Sequence, residues 1–390
     1  MPVFDVYQLL PITPVRAEGR YLWDNQGNRY LDLYGGHAVI SIGHSHPHYV
    51  RRIEQQLKQI AFYSNSVINP LQEELAERLG RLSGYPDYQL FLCNSGAEAN
   101  ENALKLASFL TGRKRVIAFQ KSFHGRTSGA VSVTDQPAIQ APFNTQHDVH
   151  FVPLNDIQAL QEAINHEVAA VIIEGIQGVG GIRVPDDQFL QQLAALCEAH
   201  GCLLILDEVQ SGYGRTGHFF AHQHAGIKPH LITMAKGMGN GFPIGGVLIH
   251  PDIKPKKGML GTTFGGGYLA CAAALAVLEV MEQEDLIAHA AQIGAWLIGE
   301  LKQIPEVENI RGRGLMIGLD PQPAFAGLRQ HLLHRHRILT GEAKPHTIRL
   351  LPPLSLQEEE ASFFLKAFRQ SLQEMGKPET SISFQNGQKY

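Results

Sequence analysis

Through the middle of the chain, short apolar runs alternate with longer stretches of helical periodicity. Five runs are continuously apolar and rich in Val, Ile and Leu: Arg115 to Phe119, Ala169 to Ile173, Leu203 to Leu206, Leu231 to Met234 and Gly246 to Ile249. That pattern predicts parallel strands buried on both faces. Between the second and third runs, residues 187–200 place Phe189, Leu190, Leu193, Ala194, Leu196 and Cys197 at helical spacing, completing a βαβ unit. Residues 96–110 predict another helix, with Ala103, Leu104, Leu106, Ala107 and Leu110 on its apolar face. Glu98 and Glu101 lie in its first turns, where the helix dipole favours acid. From about residue 265 the chain changes character. Residues 269–283 read as a long helix, Arg311 to Leu319 as a strand with turns, and Glu358 to Leu372 as an amphipathic helix. The expected division is a large α/β domain over 50–264 and a smaller α+β domain combining 1–49 with 265–390. The polar residues from Lys377 onward read as a frayed end.

A length of 390 residues is enough for two cores. A net charge of −4 without a basic stripe excludes a nucleic-acid footprint; Lys254-Pro255-Lys256-Lys257 reads as a solvated loop. The cysteines at 93, 197, 202 and 271 form no CxxC pair, which argues against a disulfide scaffold and for a reducing compartment. No basic-then-apolar leader opens the chain, and no apolar run of about 18 residues predicts a membrane span. The expected location is the cytoplasm.

Ligands of doubly wound sheets sit at the carboxyl ends of strands. Three polar residues fall there: Glu174, Asp207 and Lys236, the last followed by Gly237-Met238-Gly239-Asn240-Gly241. A lysine directly after a buried strand can carry a lowered pKa and act as a nucleophilic amine. By itself it reads rather as a lysine snorkelling beside a flexible turn. Ser95-Gly96-Ala97 opens the helix at 96 with small residues and free N–H groups, which suits a phosphate as well as an ordinary N-cap at Ser95. Phe123 can stack on a flat ring and Arg126 can fork onto a carboxylate, although Phe123-His124-Gly125-Arg126 also reads as a surface turn.

Taken together, GHSHP (43–47), NSGAEANENALKLA (94–107), FHGR (123–126), LDEVQSGYGRTG (206–217), AKGMGNGFPIGG (235–246) and GTTFGG (261–266) resemble the class III, or ω-amino acid, aminotransferases. The resemblance runs from Tyr21-Leu22-Trp23-Asp24 to Arg349-Leu350-Leu351-Pro352. It implies the aspartate aminotransferase-like, type I fold of pyridoxal-phosphate (PLP) enzymes: α/β, with a mostly parallel central sheet and a smaller α+β domain. It further implies that Lys236 holds PLP as a Schiff base and serves as the catalytic base, that Asp207 pairs with the pyridine nitrogen and that Gln210 faces the ring hydroxyl. Phe123 would stack on the ring, and Ser95, Gly96 and Ala97 would surround the phosphate. Thr263 would reach the phosphate of a neighbouring subunit, because such sites are shared across a homodimer. Thr262, Arg126 and Glu174 would contact substrate, and Arg349 would grip the α-carboxylate of glutamate. The implied reaction moves the δ-amino group of an N2-acylated ornithine to 2-oxoglutarate, a step of arginine biosynthesis. The acyl group, acetyl or succinyl, stays open, as do free ornithine, another ω-amine, an aminomutase and a non-catalytic oligomerising relative.

The chain departs from the family at two places. Val179 stands where relatives carry a glutamate that neutralises the carboxylate-binding arginine, and Gly265-Gly266-Gly267-Tyr268 replaces a Gly-Gly-Asn-Pro turn. Other constellations carry less. His44, His46 and His48 alternate, but Gly43 and Pro47 argue for a loop and no acid or cysteine completes a set, so no metal site is expected. His218 and His222 lack an HExxH pattern, and Cys197, His200 and Cys202 read as packing residues near a helix end. No GxxxxGK[ST] occurs, and the glycine-rich run Gly178 to Gly181 lacks GxGxxG, so NAD binding is weakly supported.

Overall fold

The structure, a computed structural model, describes residues 1–376; the tail from Lys377, read above as frayed, lies outside the described residues. Its centre is a seven-stranded sheet in the order Gln89–Cys93, Gly245–Ile249, Leu231–Met234, Leu203–Asp207, Val168–Glu174, Arg115–Phe119 and Val149–Val152. Four neighbouring pairs are parallel, and Gly245–Ile249 runs antiparallel to both of its neighbours. The expectation that this strand is parallel is therefore corrected. Ten residues separate Met234 from Gly245, and a parallel return needs a crossover of a dozen or more. The sheet also contains two strands that the apolar pattern did not single out. Gln89–Cys93 and Val149–Val152 occupy its edges and are only partly buried; His150 interrupts the second, whereas Leu90 to Cys93 is itself an apolar run.

Helices cover both faces. The helix Gly96–Thr111 starts at Ser95, whose hydroxyl accepts from the Glu98 N–H at 3.2 Å, and stops at Gly112 with φ +68°. Asp187–His200 ends at Gly201, also left-handed at φ +60°. In both helices a glycine provides the conformation that the C-cap requires. Tyr268–Gln283 is buried on nearly every side and packs against Pro47–Gln59 and Pro70–Ser83. Pro47, expected in a loop, is the first residue of its helix: its fixed φ suits that position, and His46 supplies the N-cap.

Outside the central sheet, an N-terminal antiparallel array (Pro14–Glu18, Tyr21–Asp24, Arg29–Asp32) takes Ile338–Leu339 as a parallel fourth strand. The N-terminal strands and Ile338–Leu339, about three hundred residues apart in the chain, thus share one sheet. A separate antiparallel sheet runs Val307–Arg313, Met316–Pro321, Thr347–Leu350, Gly341–Ala343. Arg311 to Leu319 is accordingly a hairpin rather than one strand. The C-terminal helix spans Glu358–Met375. Among the described residues, no helix is long and apolar enough to cross a membrane.

Candidate active site

Strand register assembles the site. Glu174 pairs with Asp207, and Asp207 with Thr233, so the carboxyl ends of three parallel strands lie level. Lys236 follows three residues beyond Thr233 in a single 3-10 turn, with a left-handed φ of +46°. Such a conformation is uncommon for a residue with a side chain and clusters at functional sites. A cavity of about 430 Å³ opens over this edge. Lys236, Asp207, Gln210, Glu174, Ser95, Gly96, Ala97, Phe123 and Arg126 all line it, as do Val179 and Val209.

Asp207 is held on three sides. Its Oδ2 accepts from the Asn100 amide at 2.8 Å and lies 2.7 Å from His124 Nδ1, while Oδ1 accepts from the Val209 N–H at 3.0 Å. Asn100 is aligned in turn by the Thr233 hydroxyl, which donates to its Oδ1 at 2.7 Å. A buried carboxylate so braced has its oxygens hydrogen-bonded and keeps one direction of approach. His124 and Asn100 were not singled out from the sequence. His124 lay unread inside FHGR. Asn100 left a usable signal, a polar residue on the buried helix face beside Ala99 and Ala103.

Burial pulls the Lys236 amine down to about 8, against the pull of the Asp207 and Glu174 charges, with Arg349 and Arg215 lowering it further. A minor but substantial fraction, about a tenth to a fifth, is neutral near physiological pH, far more than for an ordinary lysine, and the neutral form is the one a proton-transferring amine requires. Glu174 moves the other way. Burial raises it to about 7 against the lowering effect of His124, and the Asp207 charge raises it further. Its two oxygens accept from the N–H groups of Phe123 and Gly178 at 2.9 and 3.0 Å, tying two cavity loops to the strand end.

The helix start at Gly96 faces the same cavity, with the N–H groups of Gly96 and Ala97 free of intrahelical acceptors. The backbone there is tightly seated, since a methyl group on Gly96 would lie 2.6 Å from Val209 Cγ1. Thr262 stands beside this loop: its hydroxyl accepts from Asn94 Nδ2 at 3.3 Å and from the Gly265 N–H at 3.1 Å. Thr263 is exposed and does not line the cavity, and neither does Thr262. Arg349, 4% exposed, also stands outside the lining. It lies behind the Gly178–Val179 turn and donates from Nη1 to the Gly178 carbonyl at 3.0 Å. Two buried atoms beside the cavity have no hydrogen-bond partner among the described residues: His124 Nε2 and Gln210 Oε1. Unpaired buried polar atoms, a helix start suited to an anion, a braced carboxylate and an amine of lowered pKa fit a flat, phosphate-bearing cofactor with a ring nitrogen.

The isolated histidines resolve separately. His44, His46 and His48 pair with Asp32, Glu284 and Glu279 respectively, three different carboxylates. His222 bonds Glu208 and Tyr85 within the core. All four cysteines are buried and free.

Residues 5–372 match the family model described as Aminotransferase class-III. The chain is 42% identical to an acetylornithine aminotransferase of Archaeoglobus fulgidus, over 92% of this chain and 95% of that one. A second, from Bacillus cereus, is 41% identical over 92% and 94%. Among solved structures, the ornithine aminotransferase of Toxoplasma gondii superposes with a TM-score of 0.88 at 29% identity, covering 95% of this chain and 93% of that chain. An amine transaminase from an uncultivated Pseudomonas species, solved in its PLP-bound form, gives 0.86 at 30% identity, covering 94% and 96%.

Proposed function

Since the chain belongs to the class III aminotransferases, with their type I fold and mostly parallel central sheet, we propose that it is the PLP enzyme that moves the δ-amino group of N2-acetylornithine to 2-oxoglutarate. The products are N-acetylglutamate semialdehyde and glutamate, and the setting is arginine biosynthesis in the cytoplasm. The observation that carries the reading is the pairing, in one cavity, of an amine lowered to about 8 at Lys236 with a carboxylate braced by His124 and Asn100 at Asp207.

When bound, PLP supplies an electron sink that acidifies the carbon bearing the amino group and stores that group between the two halves of the reaction. The chain's own residues do the rest. Gly96 and Ala97, beside Ser95, hold the phosphate through backbone N–H groups at the helix start. Phe123 and Val209 provide apolar walls for the ring. Asp207, unable to turn away from its three donors, holds a proton on the ring nitrogen. Gln210, with Oε1 unpaired, faces the ring hydroxyl. Lys236 Nζ, in its neutral form, would accept the proton from the substrate carbon that bears the amino group and pass it to the cofactor that takes up that group. Arg126, Thr262 and Glu174 position the substrate, and Arg349 receives the α-carboxylate of glutamate and 2-oxoglutarate. Thr263, exposed in the single chain, completes the phosphate site of a partner subunit in a homodimer. Blocking the α-amine by acylation leaves the δ-amine as the reacting nitrogen.

The test is to add N-acetylornithine alone to the purified PLP form and record the absorbance. Conversion of the lysine-bound cofactor band to the amine form, followed by glutamate release on adding 2-oxoglutarate, is the expected result. A persistent lysine-bound band with N-acetylornithine, but conversion with N-succinylornithine, would move the substrate to the succinyl compound. No conversion with any ω-amine would reject the reading.

A further inference from the structure

Arg349 is 4% exposed, and its guanidinium meets no carboxylate among the described residues. Nε donates to the Glu342 carbonyl at 2.9 Å and Nη1 to the Gly178 carbonyl at 3.0 Å. Two carboxylates whose charge reaches it are engaged elsewhere. The Glu342 side chain pairs with Arg329 at 2.9 Å, and Glu174 is held by the Phe123 and Gly178 N–H groups. Val179, next to Gly178 and lining the cavity, has no charge to offer. A buried cation left without a counter-charge is costly and therefore favours an incoming anion.

What covers the guanidinium instead is Tyr34. Its ring centroid lies 5.8 Å from Arg349 Cζ and its hydroxyl 3.5 Å from Nη2. The ring is seated against Gly341, where a methyl group would lie 2.3 Å from Tyr34 Cε2. The hydroxyl also bonds His37 Nδ1. His37 arrives there on a left-handed turn, with φ of +56°, +54°, +68° and +65° at Gly35, Gly36, His37 and Ala38. With a histidine and an alanine in it, such a turn persists only where its surroundings hold it. Asp32 Oδ1 accepts from the Tyr34 and Gly35 N–H groups at 2.9 and 2.8 Å, and the Gln210 amide donates to the His37 carbonyl at 3.2 Å. Through Gln210 the turn is tied to the Lys236 cavity.

We propose that Tyr34 and His37 are positioning residues that keep Arg349 as an unneutralised carboxylate receptor, so that the enzyme takes carboxylate-bearing substrates in both halves of its reaction and discriminates against amines without one. The inference rests on the assignment of Arg349 made above. With no ligand, the Tyr34 hydroxyl donates to a neutral His37; partial burial, then Lys236 and Arg349, hold that imidazole below the usual histidine range. When a carboxylate reaches Arg349, the same hydroxyl turns to it and adds a second donor beside the guanidinium.

The experiment titrates glutarate, a dicarboxylate with no reacting carbonyl, calorimetrically into the PLP-loaded enzyme. KM for 2-oxoglutarate and turnover of n-butylamine are measured alongside. Tyr34→Phe should bind glutarate about tenfold more weakly, with a matching rise in KM and kcat within about twofold. His37→Ala should move the same way, and His37→Gln, which keeps an acceptor for the hydroxyl, should restore binding. Val179→Glu, which sets a carboxylate beside Gly178, should weaken glutarate at least about tenfold and raise butylamine turnover. Unchanged glutarate binding in Tyr34→Phe, while Arg349→Gln loses it, would overturn the inference and leave the role of Arg349 standing. Full glutarate binding in Arg349→Gln would instead remove the assignment on which the inference rests.

Discussion

Lys236→Met should make the cofactor-free protein more stable, and the gain should vanish at high pH. Methionine keeps the unbranched length but removes the ammonium. Folding lowers the Lys236 pKa from 10.5 to about 8. That drop corresponds to about 3 kcal/mol of destabilisation by the charged form, nearer 2 kcal/mol once the part of the side chain facing the cavity is discounted. The sign follows from proton binding: below pH 8 both states carry the proton, and the folded state bears the full cost of burying it. Between pH 8 and 10.5 the folded amine sheds its proton first, and the cost declines to less than about 1 kcal/mol at pH 10. For a chain of this length, 2–3 kcal/mol corresponds to roughly 3 °C in Tm. Thermal melts of cofactor-stripped wild type and Lys236→Met at pH 7 and pH 10 make the comparison. The mutant should melt higher at pH 7 and nearly level with wild type at pH 10. An equal Tm at pH 7, or a gap that widens with pH, would refute the assignment of a costly buried ammonium.

Other expectations can be checked by standard kinetics and cofactor titration. Asp207→Asn should still bind PLP but lose at least about a hundredfold in kcat, because a neutral amide cannot hold the ring-nitrogen proton; kcat within tenfold of wild type would contradict this role. Asn100→Ala should lower kcat about tenfold with little change in PLP affinity, since Asp207 keeps His124 and the Val209 N–H; an unaffected kcat would mean that the Thr233–Asn100 link positions nothing. Gly178→Ala would set a methyl group 1.8 Å from Gln210 Oε1, so soluble protein should bind PLP poorly, with the defect visible in the affinity titration; wild-type affinity would show that Gln210 is free to move away.

Much of the architecture was legible in the pattern of the chain. Continuous apolar runs marked the central strands because a parallel strand covered by helices on both faces leaves no room for alternation. The helix at 187–200 was bounded by an acidic start and Gly201, which are local chemistry. The edge strand Val149–Val152 escaped the pattern because His150 interrupts it; Leu90 to Cys93 is a continuous apolar run that stood unread although its signal was present. Local rules also misread Pro47, a helix start rather than a loop residue, and the direction of Gly245–Ile249, which depends on the space available to its connection.

By itself, then, the sequence determined the central helices and strands, the lysine at the end of a buried strand and the motifs that mark the family, since each is written in neighbouring residues. Tertiary structure decided what those residues do to one another. Strand register levels Glu174, Asp207 and Thr233, although long stretches of chain separate them. Burial alters the Lys236 amine and the Glu174 carboxyl in opposite directions, because desolvation penalises whichever form is charged. His124 and Asn100 converge on Asp207 from a loop and a helix, and Tyr34 covers Arg349 from the far end of the chain. Spacing along the chain does not encode such meetings; they arise when packing brings distant side chains within a hydrogen bond of each other.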